Sequence, residues 1–264
     1  MIIDCHEHLP PAKDGKTLEQ SKAELLGELE KNKVDYAILI PDNTPKSEIG
    51  SLDNVLRLTK NDRRLHMMGT IDIQRRNHLS KIQELAQLFQ AKKIVAVKIF
   101  PGHDTIYPTD KRLSPVYELC VKYDLPIVIH TGAGSKHPEP AKYNNPKHII
   151  KVARNFPRLK IVIAHYFYPR IEYCHDLTKP YENIYFDTSG LADDEVIADT
   201  GHAKIRKVLA LTAKERPNNV VFGTDYSMCS IKKHLELVES LEIDRRIKDM
   251  IFSKNAIELF HLRL

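Results

Sequence analysis

Short apolar runs recur along the chain and alternate with amphipathic stretches. Residues 35–40, DYAILI, are almost continuously apolar and stop at Pro41-Asp42-Asn43. Runs of this length are the pattern of strands covered on both faces, as in a parallel sheet. Residues 1–5, 65–71, 94–100, 126–130, 159–164, 183–186 and 219–222 read the same way and complete a set of eight strands. Between them lie stretches with helical spacing: Leu18, Leu25, Leu26 and Leu29, then residues 52–61, 78–90, 113–123, 147–156 and 203–215, with further helices from residue 231 that include 255–260. Thr17 and Gln20 have the spacing of a capping box at the first helix. Residues 170–181 show no regular period, and they read as an irregular connection.

Eight strands alternating with eight or more helices in one series predict an α/β fold, a (β/α)8 TIM barrel with additional C-terminal helices. An open doubly wound sheet is the rival, but no G-x-G-x-x-G or phosphate loop follows any strand. No linker or composition shift divides the chain, so residues 1–264 are expected to form one domain.

Composition changes this picture little. Of the 264 residues, 42% are hydrophobic, enough for a large core. The net charge of +5 is spread along the chain, and doublets such as Arg75-Arg76 and Lys92-Lys93 read as solvated faces rather than a nucleic-acid surface. A modest positive field favours an anionic small-molecule substrate. The four cysteines are far apart with no C-x-x-C pair, which suggests reduced thiols in a cytoplasmic protein. No apolar run approaches the roughly 18 residues of a membrane span, and no secretory leader is evident.

The chemistry gathers where the strands end. His6 and His8 follow the first, Asp42 the second, Asp72 the third, Lys98 lies in the fourth, and His130, His165, Asp187 and Asp225 close the fifth to eighth. In a closed parallel barrel those ends meet on one rim, the catalytic face of such folds. Two residues apart on a strand, His6 and His8 project together, while Glu7 points the opposite way and is not expected to be a ligand.

The runs IIDCHEHL, VKIFPG, VIHTGAG, VIAHYF, FGTDYS and NAIELF, distributed over the whole chain, resemble the amidohydrolase superfamily. They are most similar to its amidohydrolase-2 branch, which also holds aminocarboxymuconate-semialdehyde decarboxylase and related non-oxidative decarboxylases. The resemblance implies that His6, His8, His130 and Asp225 hold one divalent ion, with His165 at the metal-bound water or, in two-metal relatives, at a second ion. Imidazoles with a carboxylate suit zinc first, with manganese, iron, cobalt or nickel as weaker fits. Asp225 could take a proton from the water and pass it to a leaving group, and His165 could orient the water or stabilise an oxyanion.

Lys98 stands where two-metal relatives carry a carboxylated lysine, a state that would demand a second ion. A protonated Lys98 binding a substrate anion or pairing with a carboxylate is the favoured alternative. Asp187 either tunes the pocket or caps its turn. His103 and His137 fall in rim loops within reach of substrate, whereas His66, His78, His148, His234 and His261 fall away from the rim.

The reading that results is a metal-dependent hydrolase cleaving an amide, lactone or ester in a small molecule. A metal-dependent decarboxylase is the alternative; the short loop after strand one, with no evident aromatic or arginine clamp, tilts toward hydrolysis. A TatD-like nuclease ranks third, because it expects a bridging glutamate where Lys98 stands. A scaffold barrel that merely binds metal would have lost ligands, and none is lost. Relatives are often dimers or larger, so a homo-oligomer is compatible with the resemblance.

Overall fold

Eight apolar runs become eight parallel strands in the computed structural model, which describes residues 1–264. They are β1 (Ile3–Glu7), β2 (Tyr36–Leu39), β3 (Leu65–Thr70), β4 (Ala96–Ile99), β5 (Ile127–Ile129), β6 (Ile161–Ile163), β7 (Ile184–Asp187) and β8 (Val220–Val221), and each pairs with the next in sequence. Around them lie α1 (Leu18–Lys31), α2 (Leu52–Thr59), α3 (His78–Gln90), α4 (Ser114–Tyr123), α5 (Pro146–Asn155), α6 (Ile171–Thr178), α7 (Asp194–Thr200) and α8 (His202–Glu215). The C-terminal stretch adds α9 (Ile231–Glu239), α10 (Arg245–Asp249), a π-helical turn at Met250–Lys254 and α11 (Asn255–Leu259). The expected barrel is therefore present, and the Thr17–Gln20 capping box opens α1 as read.

Two elements depart from the sequence reading. Residues 170–181 contain a regular helix, α6, whose inward face carries Cys174, His175 and Thr178 beside a single aliphatic residue, Ile171. Thr178 Oγ1 bonds back to Cys174 O at 2.7 Å and His175 Nδ1 meets Thr212 Oγ1 at 2.8 Å, so the polar atoms are satisfied within the packing. A further short helix, α7, had no counterpart in the reading. It is capped by Asp193, which accepts from Glu195 N and Val196 N.

The sheet closes through hydrogen bonds from β1 to the segment that runs out of β8. Cys5 N donates to Phe222 O at 2.9 Å, Asp225 N to His6 O at 2.8 Å and His8 N to Tyr226 O at 2.6 Å. On its other side, β1 pairs β2 with a register irregularity between Asp4 and Glu7. Outside the barrel, the strands' other faces pack on the helices in one continuous core.

Inside the barrel a second apolar cluster fills the lower half. Ile3, Cys5, Met68, Val128 and Val221 project inward and meet Leu259, Phe260 and Leu262 from α11 and the residues after it. The C-terminal helix thus plugs the end of the barrel opposite the rim. Asn255 Nδ2 fixes it by donating to Pro217 O at 2.8 Å and Val220 O at 2.7 Å, and Phe222 N bonds Ile251 O at 2.9 Å. No helix is long and apolar enough to cross a membrane.

Phe260 is 1% exposed at the centre of the plug. Replacing it with alanine should destabilise the fold by about 3–5 kcal/mol, the usual cost of deleting a buried phenyl ring, read as a lowered denaturant midpoint at unchanged slope.

Candidate active site

The β1–β8 seam assembles the first three donors. Asp225 follows β8 in the left-handed region, φ 67°, and its N–H on His6 O holds it against β1. Its Oδ1 then lies 3.4 Å from His8 Nε2 and 3.7 Å from His6 Nε2. These three atoms all fall within 4.8 Å of one another.

Hydrogen bonds behind the rings fix which nitrogens carry protons. His6 Nδ1 donates to Asp187 Oδ2 at 2.7 Å, and His8 Nδ1 donates to Ile40 O at 2.8 Å. A backbone carbonyl can only accept. Asp187 is also a pure acceptor: burial works to raise its pKa, but His6, His165 and Lys98 outweigh that and hold it well below the usual carboxylate range. In the neutral form of each ring, Nε2 therefore presents a lone pair. Asp225 is likewise held ionised, its burial outweighed by His8, His165 and His6. With each ring in its neutral form, two nitrogen lone pairs and an anionic oxygen face one another.

Such a set calls for a cation. Lys98 Nζ approaches His6 Nε2 at 3.2 Å from a fully buried position on β4. Burial lowers its pKa to about 8 against the pull of Asp187 and Asp225, so it is largely protonated at neutral pH. Two imidazole nitrogens and a carboxylate oxygen, with a carboxylate and a carbonyl fixing the imidazoles from behind, are also the donor set and outer shell of a divalent-ion site.

Further round the rim, His165 Nε2 and His130 Nδ1 are 3.1 Å apart, and the ring of His103 lies 4.4 Å from that of His130, centroid to centroid. His130 belongs to neither three-donor group; the second comprises His6, His165 and Asp187. Burial pushes the pKa of His165 down to about 3 and that of His130 well below the ordinary value, so both are neutral at pH 7. Of the two loop histidines, His103 joins this array, whereas His137 is exposed on the loop after β5 with no side-chain partner.

His165, Tyr166 and Phe167 turn the chain through three successive left-handed residues, φ 60°, 55° and 56°. Non-glycine residues there cost of order 1–3 kcal/mol each. The turn is held by His165 N on Asp187 Oδ1 at 3.0 Å and Phe167 N on Thr131 Oγ1 at 2.8 Å. Asp187 thus does more than cap its own turn, since it joins β1, β6 and β7. Two participants escaped the sequence reading, Thr131 and Ser189. The VIHTG and FDTSG runs display both hydroxyls, but serine and threonine after a strand are too common as turn residues to signal a role.

Glu7 faces away from the histidines, as expected, into a buried site beside Asp4. Asp4 Oδ2 and Glu7 Oε2 lack other partners. Burial raises Asp4 to about 6 and Glu7 well above its usual value, so the pair retains one proton at neutral pH.

A model of the family described as Amidohydrolase matches residues 3–262. Among solved structures, an uncharacterised TIM-barrel protein from Bordetella bronchiseptica is similar over 98% of both chains at 22% identity, with a TM-score of 0.78. The 5-carboxyvanillate decarboxylase of Sphingomonas paucimobilis is similar over 99% of both chains at 18% identity and a TM-score of 0.67. A protein described as a probable 2-pyrone-4,6-dicarboxylic acid hydrolase from Acinetobacter baumannii, with citric acid bound, is similar over 99% of both at 14% and 0.70. At these identities the likenesses carry the fold. No protein of curated function matches the chain.

Asp187→Asn would set an amide N–H₂ against a donor that Asp187 now accepts, and should cost about 3 kcal/mol of stability at pH 7. Because the folded state depresses the Asp187 pKa, its contribution is present above the unfolded value and lost as pH falls through the folded one. The gap between wild type and variant in denaturant unfolding should therefore narrow below about pH 4.

Proposed function

We propose that this chain, which belongs to the amidohydrolase family, is a metal-dependent hydrolase that cleaves an ester, lactone or amide bond in a carboxylated small molecule. The observation that carries the reading is the convergence of His6 Nε2, His8 Nε2 and Asp225 Oδ1 with both imidazole protons committed elsewhere. His130 would complete the set, and zinc is the proposed ion. A divalent ion bound there supplies Lewis acidity and lowers the pKa of water toward about 7.

The protein's own groups then divide the work. Asp225 accepts the proton of the attacking water and delivers it to the leaving atom. With His6 Nε2 committed to an ion, Lys98 Nζ loses its acceptor and turns to a carboxylate of the substrate. The ionised groups that meet the His6 ring are two carboxylates, Asp187 and Asp225, and one ammonium, Lys98. A divalent ion beside Lys98 would offset those carboxylates and leave the ammonium to an anionic substrate. The substrates named for the similar structures, 5-carboxyvanillate and 2-pyrone-4,6-dicarboxylic acid, are carboxylic acids.

One observation favours a second reading. A buried ammonium able to grip a carboxylate beside the ion serves a decarboxylase equally well, and one of the similar structures is such an enzyme.

Protein purified without chelator should contain about one divalent ion per chain. Asp225→Asn should retain much of that ion, and kcat should fall by about 10²–10⁴-fold. Incubated with lactones, amides and carboxylated aromatic acids, the wild type should release acid from the first two classes. Carbon dioxide release from aromatic acids, without any hydrolysis, would overturn the hydrolase in favour of the lyase; a metal content near zero after reconstitution would overturn both.

A further inference from the structure

Ser189, two residues past the end of β7, is fully buried between Asp187 and two imidazoles. Its Oγ contacts Asp187 Oδ1 and lies 2.9 Å from His165 Nδ1 and 3.1 Å from His6 Nδ1. An ionised carboxylate has no proton to give, so the single hydroxyl proton goes to Asp187 and the oxygen lone pairs face the rings. His165 Nδ1 must then carry hydrogen. Ser189 O, 3.3 Å from the same nitrogen and able only to accept, imposes the same choice.

The consequence passes to the next ring. A neutral imidazole with Nδ1–H has a bare Nε2. His165 Nε2 meets His130 Nδ1 at 3.1 Å, so His130 is the donor there and its own Nε2 is bare. We infer that Ser189 is a positioning residue: it sets the tautomer of His165 and, through it, that of His130, so that His130 offers an Nε2 lone pair while His165 spends its own inside the relay.

The inference rests on the reading of His130 as a ligand, and it gives His165 a different place from the one the family pattern suggests. His165 Nε2 accepts from His130 Nδ1, and its Nδ1 donates to Ser189. With His6 and His8 fixed by Asp187 and Ile40, all four imidazoles carry Nδ1–H, and three bare Nε2 atoms are left to bind.

The test uses the full chain labelled with ¹⁵N and stripped of metal, whose two-bond ¹H–¹⁵N spectra report the tautomer of each imidazole. Wild type should show Nδ1–H at both His165 and His130. Ser189→Ala retains only the longer contact to Ser189 O, so both rings should become tautomeric mixtures, and Zn²⁺ should bind about tenfold more weakly in competition with a chelator. Ser189→Thr keeps the hydroxyl and should restore both readings. Nε2–H at His130 in the wild type, or unchanged ring spectra in Ser189→Ala, would overturn the relay. The wild-type spectrum decides even if the alanine variant does not fold. A wild type that binds no Zn²⁺ would sink the metal reading instead, leaving the spectra to judge the relay alone.

Discussion

The hydrogen bond from Asp225 N to His6 O joins the exit of the last strand to the first. It is a backbone bond, so side-chain identity does not make it; what makes it available is that Asp225 leaves β8 in a left-handed conformation and turns its N–H toward β1. With the carboxylate held there, the distances to both Nε2 atoms of the H-x-H pair follow from the pleat of β1. His8 N on Tyr226 O reinforces the same seam two residues on. Polar groups are fully buried at the seam, where Asp4 Oδ1 accepts from both His6 N and Thr224 N. Closing a barrel and building a site are here one event.

The two ends of the barrel answer different demands. Below, Phe260 and Leu262 pack on inward-facing aliphatic residues, and only apolar contact is required. Above, buried polar atoms need partners, and Asp187 serves four donors: His6 Nδ1 through one oxygen, and His165 N, Ser189 N and Ser189 Oγ through the other. Its ionisation is sustained by this surround despite its burial, and the strained turn at His165–Phe167 is affordable because Asp187 and Thr131 take up its N–H groups. Specific geometry at the rim thus depends on hydrogen-bond acceptors placed one layer beneath it.

How much of this was legible in the sequence follows from which atoms do the work. Strands buried on both faces announce themselves as apolar runs, so all eight were readable, and the polar residue at each strand end located the rim. Helix α6 was hidden because its buried face carries Cys174, His175 and Thr178, whose polar atoms are satisfied by neighbours that only the fold supplies. Helix α7, at seven residues, offers only Val196 and Thr200 to the interior, too few for a period to emerge, although Asp193 followed by Asp194 and Glu195 was a usable start signal. The histidines and Asp225 were visible as residue types at the right positions. Their proton arrangement was not, because it depends on distances such as Ser189 Oγ to His165 Nδ1, between residues set together by the pairing of β6 and β7.

The seam has a consequence for how the protein comes into being. Thr224 N reaches Asp4 Oδ1 across 220 positions of sequence, and the plug that seats β8 lies later still. During synthesis the H-x-H pair emerges well before Asp225. For most of that interval the two histidines are carried on a growing chain that has no strand to pair with β1 on that side. The three donors can meet only once β8 has formed and Asp225 N has reached His6 O. Assembly of the rim is in this way tied to closure of the barrel, by topology alone.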